Sequence, residues 1–146
     1  MMRTNAGVSW IPKLRPDQEP KLVADTQGRG TMLIPTPLLV AEELRRVRRG
    51  RLITPAALRE RLAARFGAAR TCPLTTGIFL SIVAGAAEEQ IAAGKRPVAP
   101  YWRVVDERGR LNPKFPPGTD RQAVHLRREG HVVRRSKGSD RLQVVG

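Results

Sequence analysis

The stretch Thr54-Pro55-Ala56-Ala57-Leu58-Arg59-Glu60-Arg61-Leu62-Ala63-Ala64-Arg65-Phe66-Gly67 decides how this sequence folds. A threonine ahead of a proline marks a helix start, because the hydroxyl accepts from a free first-turn N–H and proline needs no donor there. Leu58, Leu62 and Phe66 then recur at i, i+4 and i+8, which puts one apolar stripe on a helix that Gly67 ends. Working outward, Thr36-Pro37 repeats the signal and leads through Leu38, Leu39, Leu44 and Val47 to a stop at Gly50, so the two helices form a short helical hairpin. A third helix is predicted from near Thr75-Thr76 to about Ala93. Its Ile78, Phe79, Ile82, Val83, Ala86 and Ile91 make it the most apolar of the three.

Further along, Pro97 and Pro100 break the chain, and Tyr101-Trp102-Arg103-Val104-Val105 has β character before a turn at Asp106-Glu107-Arg108-Gly109. Thr119 to Arg128 reads as a fourth helix closed by Gly130. His131 to Arg135 and Arg141 to Val145 flank Ser136-Lys137-Gly138-Ser139-Asp140 as a terminal β-hairpin. Residues 1–30, with Pro12, Pro16, Pro20, Gly28 and Gly30, read as an irregular N-terminal arm that Trp10-Ile11 could anchor. Residues 31–146 form the domain. The fold class expected is α/β, mainly α: a winged helix-turn-helix-like domain with short β-hairpins.

The 146 residues suit one domain, and 40% hydrophobic residues suffice for a core. No apolar run approaches the roughly 20 residues that span a bilayer, and no signal-peptide pattern opens the chain, so a cytoplasmic protein without membrane contact is expected, nucleoid-associated if it binds DNA. The net charge of +14 draws polyanions. Counted by segment, the excess is +6 over residues 31–70 and zero over 71–100, so the charge is not spread evenly and the segment that holds the third helix is neutral.

Pro100-Tyr101-Trp102-Arg103-Val104-Val105, Gly109-Arg110-Leu111 and Leu126-Arg127-Arg128-Glu129-Gly130, with Arg49-Gly50-Arg51-Leu52-Ile53-Thr54 upstream, resemble the DNA-binding domain of the methylguanine-DNA methyltransferase family over residues 31–131. The resemblance places Tyr101 where that family carries its alkyl-accepting cysteine, Trp102 at its activating histidine and Glu129 at its third catalytic position. A phenol titrating near 10 is a poor acceptor at neutral pH, so alkyl transfer at this position is not expected. The alkyltransferase-like proteins, which also lack the cysteine and bind damaged DNA without repairing it, are similar. Pro55 stands where the family has a tyrosine that rotates the target nucleotide, and Thr75-Thr76-Gly77-Ile78 offers no clear match to its intercalating arginine, which speaks against base flipping.

Arg45, Arg46, Arg48, Arg49 and Arg51 are candidates for phosphate contact, although cations at a helix C-terminus also suit the macrodipole. Thr75 and Thr76 could bring backbone N–H groups to a phosphate. Tyr101 and Trp102 are candidates for stacking on an unpaired base with Arg103 as charge partner, or alternatively for the core. Cys72, the one cysteine, is either a relocated nucleophile or a small apolar thiol near a helix cap. His125 and His131 lack ligand spacing, so neither a metal site nor a cofactor is expected. The function expected is non-catalytic binding of nucleic acid, foremost double-stranded DNA, mainly through phosphates, with sensing of a damaged or unpaired base. The alternatives are a diverged alkyltransferase using Cys72 and a winged-helix module that binds protein or RNA.

Overall fold

The computed structural model describes residues 9–28 and 30–146, so residues 1–8 of the expected arm, and Arg29, lie outside the described residues. Among the described residues the architecture is mainly helical, with four α-helices and two small sheets. In chain order they are β1 (Lys21–Ala24), β2 (Thr31–Ile34), α1 (Pro37–Leu44), α2 (Pro55–Phe66), β3 (Arg70–Thr71), α3 (Pro73–Ala92), α4 (Thr119–Arg128), β4 (Val132–Arg135) and β5 (Leu142–Val145). Two 3-10 turns, Ile11–Leu14 and Tyr101–Arg103, complete the set.

Both threonine caps form as the sequence predicts. The Leu39 N–H donates to Thr36 Oγ1 and the Ala57 N–H to Thr54 Oγ1, each at 3.1 Å, which satisfies one open donor per helix. Leu58 and Leu62 from the α2 stripe are fully buried, in the same core cluster as Val40, Ala41 and Leu44 of α1 and Leu80 and Val83 of α3. Arg65 ties the hairpin together from the side, donating to Glu43 at 3.0 Å and also to Glu42.

The structure departs from the sequence reading in four places. The first thirty residues, expected to be irregular, contain a 3-10 turn and a strand in their described part. β1 pairs antiparallel with β2, Leu22 opposite Leu33, and β2 pairs parallel with β3. The turn at Ile11–Leu14 is strapped to α3 because the Glu89 carboxylate accepts from the Trp10 and Ile11 N–H groups at 2.8 and 3.1 Å. The Trp10 ring lies directly over Gly85, where a Cβ would come within 2.3 Å of it, so only glycine permits the seat.

Second, α1 stops at Leu44 rather than near Gly50, so the arginine run occupies the connection to α2. Third, α3 begins two residues early, at Pro73, with Cys72 at its N-cap position. Fourth, the expected strand at Tyr101–Val105 is a 3-10 turn, since the Arg103 and Val104 N–H groups fold back onto the Pro100 and Tyr101 carbonyls. Only Val104 keeps extended pairing, in a single bridge with Ile53. The terminal hairpin is present, with Val132 opposite Val145 and Arg135 opposite Leu142.

Candidate nucleic-acid interface

The Tyr101–Arg103 turn and the C-terminal end of α4 meet at the centre of the molecule. Tyr101 is fully buried and Trp102 is 9% exposed, because the apolar run after Pro100 turns inward against α3 and α4 instead of lying along a sheet edge. The Tyr101 ring sits edge-on to Trp102, Phe115 and His125, with centroids 5.5, 6.0 and 6.1 Å away, and Trp102 stacks on His125 at 4.1 Å. The stacking role considered for these aromatics is therefore corrected: in this conformation neither presents a face to an incoming base, and both are core.

The Tyr101 hydroxyl, the Trp102 Nε1 and the His125 Nε2 on the edges of this aromatic cluster each meet a carboxylate. The Tyr101 hydroxyl donates to Glu88 Oε2 at 2.6 Å, His125 Nε2 lies 2.8 Å from the same oxygen, and Arg121 Nε reaches Glu88 Oε1 at 3.3 Å. Burial, reinforced by the hydrogen bond to Glu88, holds the phenol well above its ordinary pKa. Burial also lowers the His125 pKa despite the carboxylate beside it. At neutral pH the trio is thus a neutral phenol, a neutral imidazole and an ionised Glu88 whose hydrogen bonds outweigh its desolvation. A proton held this firmly leaves Tyr101 no nucleophilic oxygen.

On the other side, Glu129 gathers donors from three elements. It accepts from Trp102 Nε1 at 2.8 Å, from Arg103 Nη2 at 2.7 Å and from the Gly50 N–H at 3.2 Å. Desolvation pushes its carboxyl up, but these hydrogen bonds and the Arg103 charge hold it below its ordinary value. Arg103 also donates to the Val47 carbonyl, and only 12% of its side chain is exposed. That pairing corrects its expected role as a charge partner for a base: its fork is spent inside the protein.

The arginine run divides. Arg45 donates to the Val98 carbonyl and Arg49 to the Arg128 carbonyl, each at 2.8 Å, so both are partly committed to structure. Arg46, Arg48 and Arg51 are exposed, and their side chains make no hydrogen bond or ion pair among the described residues. The connection carries them because Gly50, at φ +83°, turns the chain there while its N–H is held by Glu129.

At the start of α3 the hydroxyls of Thr75 and Thr76 both turn back to the Cys72 carbonyl, and Thr76 is fully buried. The phosphate contact expected at Thr76 runs through its backbone N–H, and that N–H is taken by the same Cys72 carbonyl at 3.2 Å, so the expectation is corrected. Cys72 is half-buried. Burial raises its thiol pKa, but hydrogen bonds from Thr75 and Leu74 and the charge of Arg70 bring it below the ordinary value.

Sequence reasoning missed Glu88, Glu89 and Arg121 as organising residues. The available signal was a pair of carboxylates, Glu88-Glu89, on an otherwise apolar helix, where an unpaired charge would be costly. Among the described residues no cluster of His, Cys, Asp and Glu is arranged to hold a metal ion, and no helix is long and apolar enough to cross a membrane.

No protein-family model and no curated protein sequence matches the chain. Among solved structures it is similar to S. pombe Atl1, determined in complex with damaged DNA containing O6-carboxymethylguanine, with a TM-score of 0.50 at 16% identity over 73% of this chain and 84% of that one. The chain shares the fold of Atl1, a compact α/β domain.

Proposed function

We propose that the protein binds double-stranded DNA without catalysis, mainly through phosphates, and that it recognises altered DNA. The observation that carries this reading is the arginine-rich connection between α1 and α2, where Arg46, Arg48 and Arg51 stand exposed and unpaired among the described residues on a chain of net charge +14. Guanidiniums pair with phosphate oxygens in two parallel hydrogen bonds, and each neutralised phosphate releases condensed counterions. The fold shared with Atl1, whose structure contains damaged DNA, supports recognition of a lesion as the purpose of the binding. α3 is neutral over most of its length and carries no basic side chain, which argues against reading of a base sequence.

The neutral, buried phenol of Tyr101 and the indole of Trp102, which only donates, support the reading that no alkyl group is accepted at these two positions. The experiment is fluorescence anisotropy on paired duplexes with and without one O6-alkylguanine, followed by intact-protein mass measurement. The expected result is nanomolar-to-micromolar binding, tighter for the modified duplex, with the protein mass unchanged. Binding of neither duplex would overturn the reading. A mass gain on Cys72, the half-buried thiol whose pKa is lowered, would replace it by the transferase alternative.

A further inference from the structure

The exposed arginines of the α1–α2 connection are not alone on their side of the molecule. Arg49 Nη2 is fastened to the Arg128 carbonyl at the last residue of α4, and the Gly50 N–H to Glu129 immediately after it. One residue earlier, Arg127 Nη2 donates to the Val133 carbonyl of β4 at 2.8 Å. Residues 46–51 are therefore joined by direct hydrogen bonds to the distant stretch 127–129, which is in turn joined to 132–134 just beyond it. Arg128 and Arg134 on the two added stretches are exposed and make no ion pair among the described residues, and Arg134 projects from the opposite face of β4 to buried Val133. The acidic group at the junction, Glu129, is 3% exposed at its side chain and consumed by Arg103, so it does not offset these charges at the surface.

Like charges gathered on one side of the molecule repel one another, and beside them only the exposed Glu42 carboxylate, already held by Arg65, is seen to act on Arg46 among the described residues. A partner with a regular array of negative charge would relieve that repulsion. We propose that residues 46–51, the end of α4 and β4 form one phosphate-binding face, that Arg128 and Arg134 belong to it, and that Glu129 is a positioning residue that fixes the arginine connection to α4. This rests on the DNA-binding reading above and adds to it residues and a device for holding them.

Glu129 reaches the connection at two points: directly at the Gly50 N–H, and through Arg103, which spans from its carboxylate to the Val47 carbonyl. Arg48, Arg49 and Arg51 lie between or beside those points. Pinning the backbone on both sides lowers the entropy lost when these side chains engage a phosphate backbone.

The proposal makes a prediction whose sign separates it from simple electrostatics. Removing a carboxylate from a basic protein should tighten binding to a polyanion, whereas loosening the arginine connection should weaken it. The test is anisotropy of a fluorescein-labelled duplex across a salt series, with thermal melting of each variant. Arg128→Ala and Arg134→Ala, both at exposed positions, should each weaken binding several-fold and reduce the salt slope by about 1. Glu129→Ala should weaken binding roughly tenfold, and Arg51→Ala should cost less in that background than in the wild type. Glu129→Gln keeps the shape of the side chain and an acceptor oxygen, so it serves if the alanine variant melts too low, and it too should bind more weakly. Tighter or unchanged binding by a folded Glu129 variant overturns the positioning role. Wild-type affinity in both Arg128→Ala and Arg134→Ala overturns the extended face while leaving DNA binding intact, and a wild type that binds no duplex overturns both.

Discussion

Tyr101→Phe deletes one oxygen from the buried centre and leaves its ring contacts in place. The fully buried hydroxyl donates at 2.6 Å to an ionised Glu88 whose side chain is 11% exposed, a charge-assisted bond. Losing a hydrogen bond to a charged group costs about 1.5 to 3 kcal/mol. Glu88 keeps His125 and Arg121, so its charge is not orphaned and the loss should stay within that range. In a domain of this size the melting temperature should fall by roughly 3 to 12 °C, at about 2 to 4 °C per kcal/mol. The assay is thermal unfolding followed by circular dichroism at neutral pH, with duplex affinity measured beside it. Tyr101 is the single tyrosine, so its phenolate absorbance reports this residue alone. Its folded pKa lies above the ordinary 10.0, so the stability it contributes is complete below that pH and is lost as the pH rises beyond it. Ionisation should therefore coincide with alkaline unfolding. An unchanged melting temperature, a phenol titrating near 10 in the folded protein, or lost DNA affinity at full stability would each refute the reasoning.

Acidification should act in two steps: His125 binds protons less readily folded than unfolded, so stability is lost as the pH falls below 6.5 toward its lowered value, and Glu88 and Glu129 add a second loss below 4.5. Urea midpoints across pH 3 to 8 check this. Gly85→Ala forces the Trp10 ring off α3, which should expose residues 9–14 to limited proteolysis and red-shift the fluorescence of Trp10, with the core around Trp102 intact. Tyr101→Ala removes a fully buried aromatic and should cost about 3 to 5 kcal/mol, read as a large drop in the urea midpoint.

The parts of the fold written in local chemistry were legible. Thr36-Pro37 and Thr54-Pro55 form the caps they encode, α4 and the terminal hairpin lie where their patterns put them, and the motifs around Val104 and Glu129 carried the fold resemblance that the structure of Atl1 shares. What stayed hidden depended on distant partners. β1 is a four-residue strand with every residue exposed, so it has no apolar alternation, and only the ladder to β2 defines it. Tyr101-Trp102 carries strand propensity but folds as a 3-10 turn because Glu88 and Glu129, 13 and 27 residues away, take its hydroxyl and its indole N–H. The arginine run was visible as charge. Its division into fastened Arg45 and Arg49 and exposed Arg46, Arg48 and Arg51 required the carbonyls of Val98 and Arg128.

If the exposed arginines hold DNA through its phosphates, duplex affinity must depend steeply on salt. The logarithm of the association constant should fall linearly with the logarithm of salt concentration, with a slope of roughly −0.9 per phosphate neutralised. Replacing Arg46, Arg48 and Arg51 together by Ala should make that slope shallower by about 2 to 3, equally for all duplex sequences. A slope near zero, or one that the triple replacement leaves unchanged, would contradict the account.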